Sequence, residues 1–353
     1  LLEHGGNLRD AAREYGRALA DWIDLSTGIN PHWYAAPAPH ASAWHRLPEA
    51  DPALAGAACA YYKAPAMLPV AGTQAAIQAL PRLRAPSRVV VAAPSYAEHA
   101  HHWGQHGHQL RQVPYAQLGA AVDGCDVLVV CNPNNPTGER IAPELLLEWA
   151  AKLAARGGWL VLDEAFGDTE TQAGLGSHTG QPGLIVLRSV GKFFGLAGLR
   201  LGFVAAHPAL LAQLADMLGP WSVSGPAQQV ALAALNDTHW QEAMRERLRG
   251  EGLRLHQLLA AHDIASTGTA LFQWWPEERA TAFWRHMAQA GIWVRLFRHA
   301  AHGIRLGLPP TNKPGCACSR PSLHGSTYEA LENRTAAGRI DLAAGACRHH
   351  RAR

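Results

Sequence analysis

An α/β fold is predicted for this 353-residue chain: a large domain with a mostly parallel central sheet, then a smaller α+β C-terminal domain. Three observations predict it. Between about residues 66 and 206, short apolar runs alternate with helical patterns, as expected for strands joined by crossover helices. Several of the runs are continuous in Val and Leu, which suits strands buried on both faces of a parallel sheet. With 48% hydrophobic and 17% charged residues, the chain can fill a sizeable core.

The predicted strands are Arg88–Ala92, Gln109–Val113, Asp126–Cys131, Trp159–Asp163, Leu184–Arg188 and Leu201–Ala205, with helices at Thr73–Leu83, Pro143–Arg156 and Pro208–Leu218. A helical stretch Pro226–Leu235 and a long helix over Thr238–His262 lead to the second lobe. That lobe is expected to hold a strand at Ala270–Trp275, a helix near Glu277–Ala290, and strands Trp293–Phe297 and Gly303–Leu308. Residues 1–50 read as irregular. The expected division is an N-terminal segment 1–40 near the substrate, a large domain 41–235, a small domain 236–311 and a divergent, disordered tail 312–353.

A formal charge of +3 is too small to imply a nucleic-acid partner, and no apolar run reaches bilayer-spanning length. No signal-peptide pattern opens the sequence, so a cytoplasmic chain is expected. Six cysteines form no disulfide framework: Cys59, Cys125 and Cys131 read as buried thiols, and Cys316, Cys318 and Cys347 fall in the tail.

The chemistry concentrates in a few loops. Lys192 sits in Ser189-Val190-Gly191-Lys192-Phe193-Phe194-Gly195, with Arg200 eight residues on, and it is one of only four lysines. An amine in such an apolar loop deprotonates readily and can attack an aldehyde, while Ser189 and Arg200 suit a phosphate on the same molecule. Asn132-Pro133-Asn134-Asn135-Pro136-Thr137-Gly138 follows a strand directly, where ligands bind in open α/β sheets. The strand Trp159–Asp163 ends in a carboxylate able to keep a pyridine nitrogen protonated. Gly72, Thr73 and Gln74 open a helix whose N–H groups suit a phosphate, and Tyr96 follows the next strand. Each feature alone has a plain structural explanation: a turn, a cap, a core ring or a surface lysine.

Together and in this order, these loops resemble the fold-type I pyridoxal-phosphate (PLP) enzymes, the aspartate aminotransferase superfamily. The resemblance covers residues 1 to about 311. It implies that Lys192 holds PLP, that Asp163 pairs with the pyridine nitrogen and that Asn135 bonds the ring hydroxyl. Tyr96 would stack on the ring, and Gly72, Thr73, Gln74, Ser189 and Arg200 would hold the phosphate. Phe166 stands where many relatives have tyrosine, so one hydroxyl contact is missing.

The opening Glu3-His4-Gly5-Gly6-Asn7, with Ser26-Thr27-Gly28-Ile29-Asn30-Pro31 downstream, resembles the L-threonine-O-3-phosphate decarboxylases of cobalamin biosynthesis. That family forms (R)-1-amino-2-propanol O-2-phosphate and CO2. The resemblance implies that His4, Gly5, Gly28 and Asn135 contact the substrate, with Arg295 and Arg305 binding its phosphate and carboxylate. Gly28 replaces a substrate-binding asparagine of some members. Leu47-Pro48 replaces a Tyr-Pro pair that reaches the neighbouring subunit in a homodimer, the assembly expected here.

The alternative reading is a histidinol-phosphate aminotransferase, which shares the cofactor residues and also binds a phosphate. A regulatory relative is disfavoured by the presence of Lys192 and by the lack of a helix-turn-helix segment before the fold. Glu98, His99, His101, His102, His106 and His108 cluster, and His102/His106 have the spacing of a zinc-binding pair on a helix. The preferred expectation is a solvated crossover helix and no metal; Cys316-Ala317-Cys318 with His324 matches no zinc module.

Overall fold

The computed structural model describes residues 2, 4–170, 174–299 and 301–310; the tail 312–353, with its cysteines and His324, lies outside them. The chain divides into two compact units, one drawn from residues 1–32 and 249–353 and the other from residues 33–248. The divisions fall at 32/33 and 248/249, against expected boundaries at 40/41 and 235/236. The second lies inside the helix Thr238–Ala261, where composition gives no signal.

In the 33–248 unit, β2 (Met67–Val70), β3 (Arg88–Ala93), β4 (Gln109–Pro114), β5 (Val127–Cys131), β6 (Trp159–Asp163), β7 (Leu184–Ser189) and β8 (Gly202–Ala205) form one sheet, in the order β2-β8-β7-β6-β5-β3-β4. Neighbours from β4 through β7 are parallel; β8 runs against both β7 and β2. Every residue of β5 and β7 is buried, which explains their unbroken apolar runs. Val89, Val91, Val127, Val129, Val161 and Ile185 pack with Ile77, Leu80 and Trp103 on one face of the sheet. β2 was not anticipated, being four residues long and containing Pro69.

The predicted helices recur with small changes. The helix expected over Thr73–Leu83 stops at Ala79 and tightens into a 3-10 turn at Leu80–Leu83, because Pro81 offers no N–H to continue it. The helix Ala97–Gln105 departs from the expectation of a solvated element: Glu98, His99 and Trp103 are all buried.

The other unit holds β1 (Ile23–Leu25), β9 (Thr267–Thr269), β10 (Phe272–Pro276), β11 (Ile292–Phe297) and β12 (Gly303–Gly307), in the order β1-β11-β12-β10-β9. The first fifty residues are not irregular as expected. The helix Leu8–Tyr15 packs Ala11 with Trp22, Ala288 and Trp293, and β1 pairs in parallel with β11.

A buried ion cluster joins β6 to β7. Arg188, 6% exposed, donates to Glu164 just past β6 (2.5 Å) and to Asp168 (3.0 Å), and lies against the Tyr62 ring. Burial alone would weaken its charge, but the two carboxylates hold it firmly protonated. Arg188→Leu leaves both carboxylates buried without their cation, a loss of about 3–5 kcal/mol. Urea unfolding of the two proteins checks this; a difference of under about 1 kcal/mol contradicts it.

Candidate active site

One open cavity gathers residues contributed by six segments of the 33–248 unit. Its lining includes Gly72, Thr73, Gln74, Tyr96, Asn135, Asp163, Phe166, Ser189, Lys192 and Arg200. The register of the sheet explains the convergence. Cys131 at the end of β5 lies opposite Asp163 at the end of β6, so the loops after β5, β6 and β7 open at the same edge. The backbone N–H of Asn132 donates to the Asp163 carbonyl (2.9 Å) and ties two of these ends together.

At one end of the cavity, Gly72 has a φ of +74°, and a Cβ there would stand 2.7 Å from Arg200 Nη2. The positive φ favours glycine there, and the missing side chain leaves room for the guanidinium. Arg200 itself adopts φ +54°, ψ +52°, a left-handed conformation that costs a non-glycine residue on the order of 1–3 kcal/mol and concentrates at ligand-binding positions. Gly202 passes beneath the same turn, where a Cβ would lie 2.8 Å from the Thr73 nitrogen. Ser189 Oγ accepts the Gly191 N–H at 3.1 Å. Backbone N–H groups, a hydroxyl and a guanidinium in this cradle match the chemistry of a phosphate dianion. Gln74 is placed differently from a simple phosphate contact: its side-chain amide donates to Glu98 (2.6 Å), and its carbonyl accepts from the Tyr96 hydroxyl (3.2 Å).

The Asn/Pro loop divides its work. Asn132 bonds both backbone groups of the chain at Ile141, and Asn134, fully buried, donates to the Pro94 carbonyl and to Thr137. These two asparagines shape the loop, and Asn135 lines the cavity.

Asp163 is 5% exposed and has a partner that the sequence reading passed over. Its Oδ1 accepts the Ala165 N–H (3.0 Å), and its Oδ2 meets His99 Nε2 at 2.9 Å. Burial favours the neutral imidazole, yet the bond to Asp163 and the neighbouring Cys131 outweigh it and raise the His99 pKa to about 10. The histidine is therefore held as an imidazolium at neutral pH, bonded to Asp163 Oδ2. Its position three residues after Tyr96 on one helix was a usable signal, but its partner is 64 residues away.

His99, Cys131 and Asp163 are also, among the described residues, the grouping whose donor atoms could surround a metal, lying within 4.8 Å of one another. Within it, His99 Nε2 and Asp163 Oδ2 lie at hydrogen-bond distance, 2.9 Å. The His102/His106 pair does not form: the helix ends at Gln105, His106 leaves helical geometry, and His102 bonds Glu98 at 3.0 Å.

Lys192 projects its Nζ toward the face of Phe166, 5.5 Å from the ring centroid. An ammonium over an aromatic face is attracted by the ring's quadrupole.

The remaining expected residues belong to the other unit. Arg295 and Arg305 are directly paired across β11 and β12, and both guanidiniums lie against Phe297, at 4.9 and 5.9 Å. Burial first, and then the Arg295 charge, lower the Arg305 pKa to about 9, with Asp24 opposing them. Two facing cations on adjacent strands are unfavourable unless an anion joins them. Gly5 packs on Ser26, Gly28 is buried and His4 is exposed.

A cavity combining a phosphate cradle, a strand-end aspartate and a facing lysine is that of a PLP-dependent enzyme. The chain belongs to the aminotransferase class I and II family, whose model matches residues 21–310. The threonine-phosphate decarboxylase of Pseudomonas aeruginosa is 52% identical over 310 residues, spanning 88% of this chain and 93% of that protein. The threonine-phosphate decarboxylase of a Sinorhizobium species is 44% identical, over 88% and 94% of the two chains. The crystal structure of histidinol-phosphate aminotransferase from Sinorhizobium meliloti with pyridoxal-5'-phosphate superposes with a TM-score of 0.77 at 20% identity, covering 97% of this chain and 96% of that one.

The His99–Asp163 pair has a pH signature. A histidine whose pKa is raised on folding stabilises the fold fully below about pH 6.5, its unfolded value, and loses that contribution as pH rises toward 10. His99→Gln therefore costs about 2 kcal/mol at pH 6 and progressively less by pH 9.5. Urea denaturation at the two pH values tests this; a difference independent of pH contradicts it.

Proposed function

We propose that the protein decarboxylates L-threonine O-3-phosphate to (R)-1-amino-2-propanol O-2-phosphate and CO2, a step of cobalamin biosynthesis, in the cytoplasm. The observation that carries this reading is the 52% identity to a threonine-phosphate decarboxylase over 88% of the chain, in which Arg295 and Arg305 face each other across two strands. Guanidiniums suit a substrate bearing both a carboxylate and a phosphate.

The geometry supports the following roles. Lys192 holds the cofactor aldehyde covalently, and Gly72, Thr73, Ser189 and Arg200 hold its phosphate, with Gln74 contributing through its backbone in the first turn of the helix. Tyr96 covers the ring, and Asn135 bonds the ring hydroxyl and contacts the substrate. Asp163, held in place by His99, pairs with the pyridine nitrogen and favours its protonated form. PLP bound there supplies an electron sink for the pair left when the Cα–carboxylate bond breaks. Lys192, or a water, returns a proton to Cα. His4, Gly5, Gly28, Arg295 and Arg305 bind the substrate. The rival transamination requires loss of the Cα proton instead of CO2, and the arginine pair together with the decarboxylase relatives favour decarboxylation.

A homodimer accords with the surface of the 33–248 unit, where Trp33, Trp44, Leu47 and Trp221 are 49–69% exposed. Large apolar side chains so exposed are suited to an interface. Trp44→Glu with Leu47→Asp is expected to shift the molar mass measured by light scattering from dimer to monomer; an unchanged dimer removes this face from the interface.

Incubated with L-threonine O-3-phosphate and PLP, the protein is expected to release CO2 without 2-oxoglutarate. Lys192→Ala is expected to lower that rate at least 1000-fold and to abolish the absorbance of lysine-bound PLP. Glutamate-dependent amino transfer with no CO2 release would replace this reading with the aminotransferase.

A further inference from the structure

Ser26, which is 1% exposed, uses every polar group it has to join three segments of chain. Its carbonyl accepts from Arg305 Nη2 at 2.9 Å. Its hydroxyl accepts the Gly6 N–H at 2.8 Å and donates to Asp24 Oδ1 at 2.6 Å. Its own N–H also donates to Asp24 Oδ1, at 2.9 Å. The N-terminal loop lies directly on this residue: a Cβ on Gly5 would be 2.4 Å from the Ser26 carbonyl oxygen. On the other side β12 is equally close, since a Cβ on Gly307 would be 2.0 Å from the Thr27 carbonyl oxygen.

We propose that Ser26 is a positioning residue that couples the order of the Gly5–Gly6 loop to the orientation of Arg305, so that anion recognition depends on both at once. The inference rests on the reading of Arg305 and Gly5 as substrate-binding residues and adds what makes them act as one unit. Asp24 fixes the hydroxyl and the N–H of Ser26 from one oxygen, which leaves the carbonyl aimed at Arg305 and the hydroxyl lone pair aimed at Gly6. A guanidinium held by one fixed acceptor loses less freedom when it binds a phosphate or carboxylate. The geometry also accounts for glycine at position 5, because any side chain would separate the loop from the carbonyl that Arg305 grips.

The arrangement makes a prediction for the unaltered holoenzyme, in which PLP already occupies its own phosphate cradle. Inorganic phosphate binding at Arg305 is expected to slow hydrogen exchange of the Gly6 amide at least fivefold, read in a peptide covering residues 4–8. No slowing would overturn the coupling. Ser26→Ala keeps the carbonyl and removes the hydroxyl. It is expected to speed Gly6 exchange and abolish its response to phosphate. The variant is further expected to raise KM for L-threonine O-3-phosphate at least tenfold while kcat falls less than threefold, with the absorbance of lysine-bound PLP unchanged. Asp24→Asn retains an acceptor oxygen for Ser26 and is expected to keep the phosphate response. A Ser26→Ala protein with wild-type KM and exchange would refute the role of Ser26. If wild-type protein shows the phosphate response but releases no CO2 from L-threonine O-3-phosphate, the assigned reaction fails and the coupling stands.

Discussion

The cavity depends on β6 and β7 ending side by side, and a buried guanidinium keeps them there. Arg188 reaches from the penultimate residue of β7 to Glu164, the first residue after β6, and to Asp168 beyond it. Its immediate neighbour in sequence is Ser189, and that of Glu164 is Asp163. The two strand-end residues assigned to opposite ends of the cofactor are thus each one peptide from the same ion cluster. A parallel ladder alone allows strand ends to fray, since each end lacks a partner on one side. A charge pair buried this deeply has few alternative arrangements, because any separation strands a desolvated ion. Tyr62, under the guanidinium, and Leu175, whose N–H donates to Glu164 at 3.0 Å, close the cluster from outside the sheet.

The same economy recurs around Asp163. One carboxylate oxygen is spent on the Ala165 backbone and the other on His99, so the aspartate is oriented before any ligand arrives. The imidazolium offsets part of the cost of burying the carboxylate beside it. Lys192 places its Nζ over the face of Phe166, a contact that favours the ammonium form, and it and Asp163 reach one cavity from different strand ends.

How much of this was legible in the sequence follows from how local each signal is. Lys192, Ser189 and Arg200 lie within twelve positions, and Asn135 and Asp163 each stand at the end of an apolar run, so motif and strand pattern supported one another. β6 and the helix Pro208–Leu218 have the boundaries read from the sequence, because Asp163, Pro208 and Gly219 punctuate them. β1 was hidden by its three-residue length and by pairing with a strand some 270 positions away. The histidine-rich helix misled for a physical reason: composition suggested a solvated face, and a partner across the sheet decided which histidine turned inward. Ser26 was visible only as part of a motif, since its role exists where residues 6, 24 and 305 meet.

The arginine pair argues for what the chain binds more strongly than fold does. Fold-level likeness to an aminotransferase at 20% identity is compatible with several reactions on one cofactor. Facing Arg295 and Arg305 across a ladder is unfavourable for a strand pair on its own, and aromatic faces at Phe272 and Phe297 only partly compensate. Burial and the Arg295 charge lower the Arg305 pKa to about 9. Two guanidiniums side by side suit a ligand with two anionic groups better than a ligand with one. Asp24 opposes that lowering of the Arg305 pKa, and it also fixes Ser26, whose carbonyl accepts from Arg305.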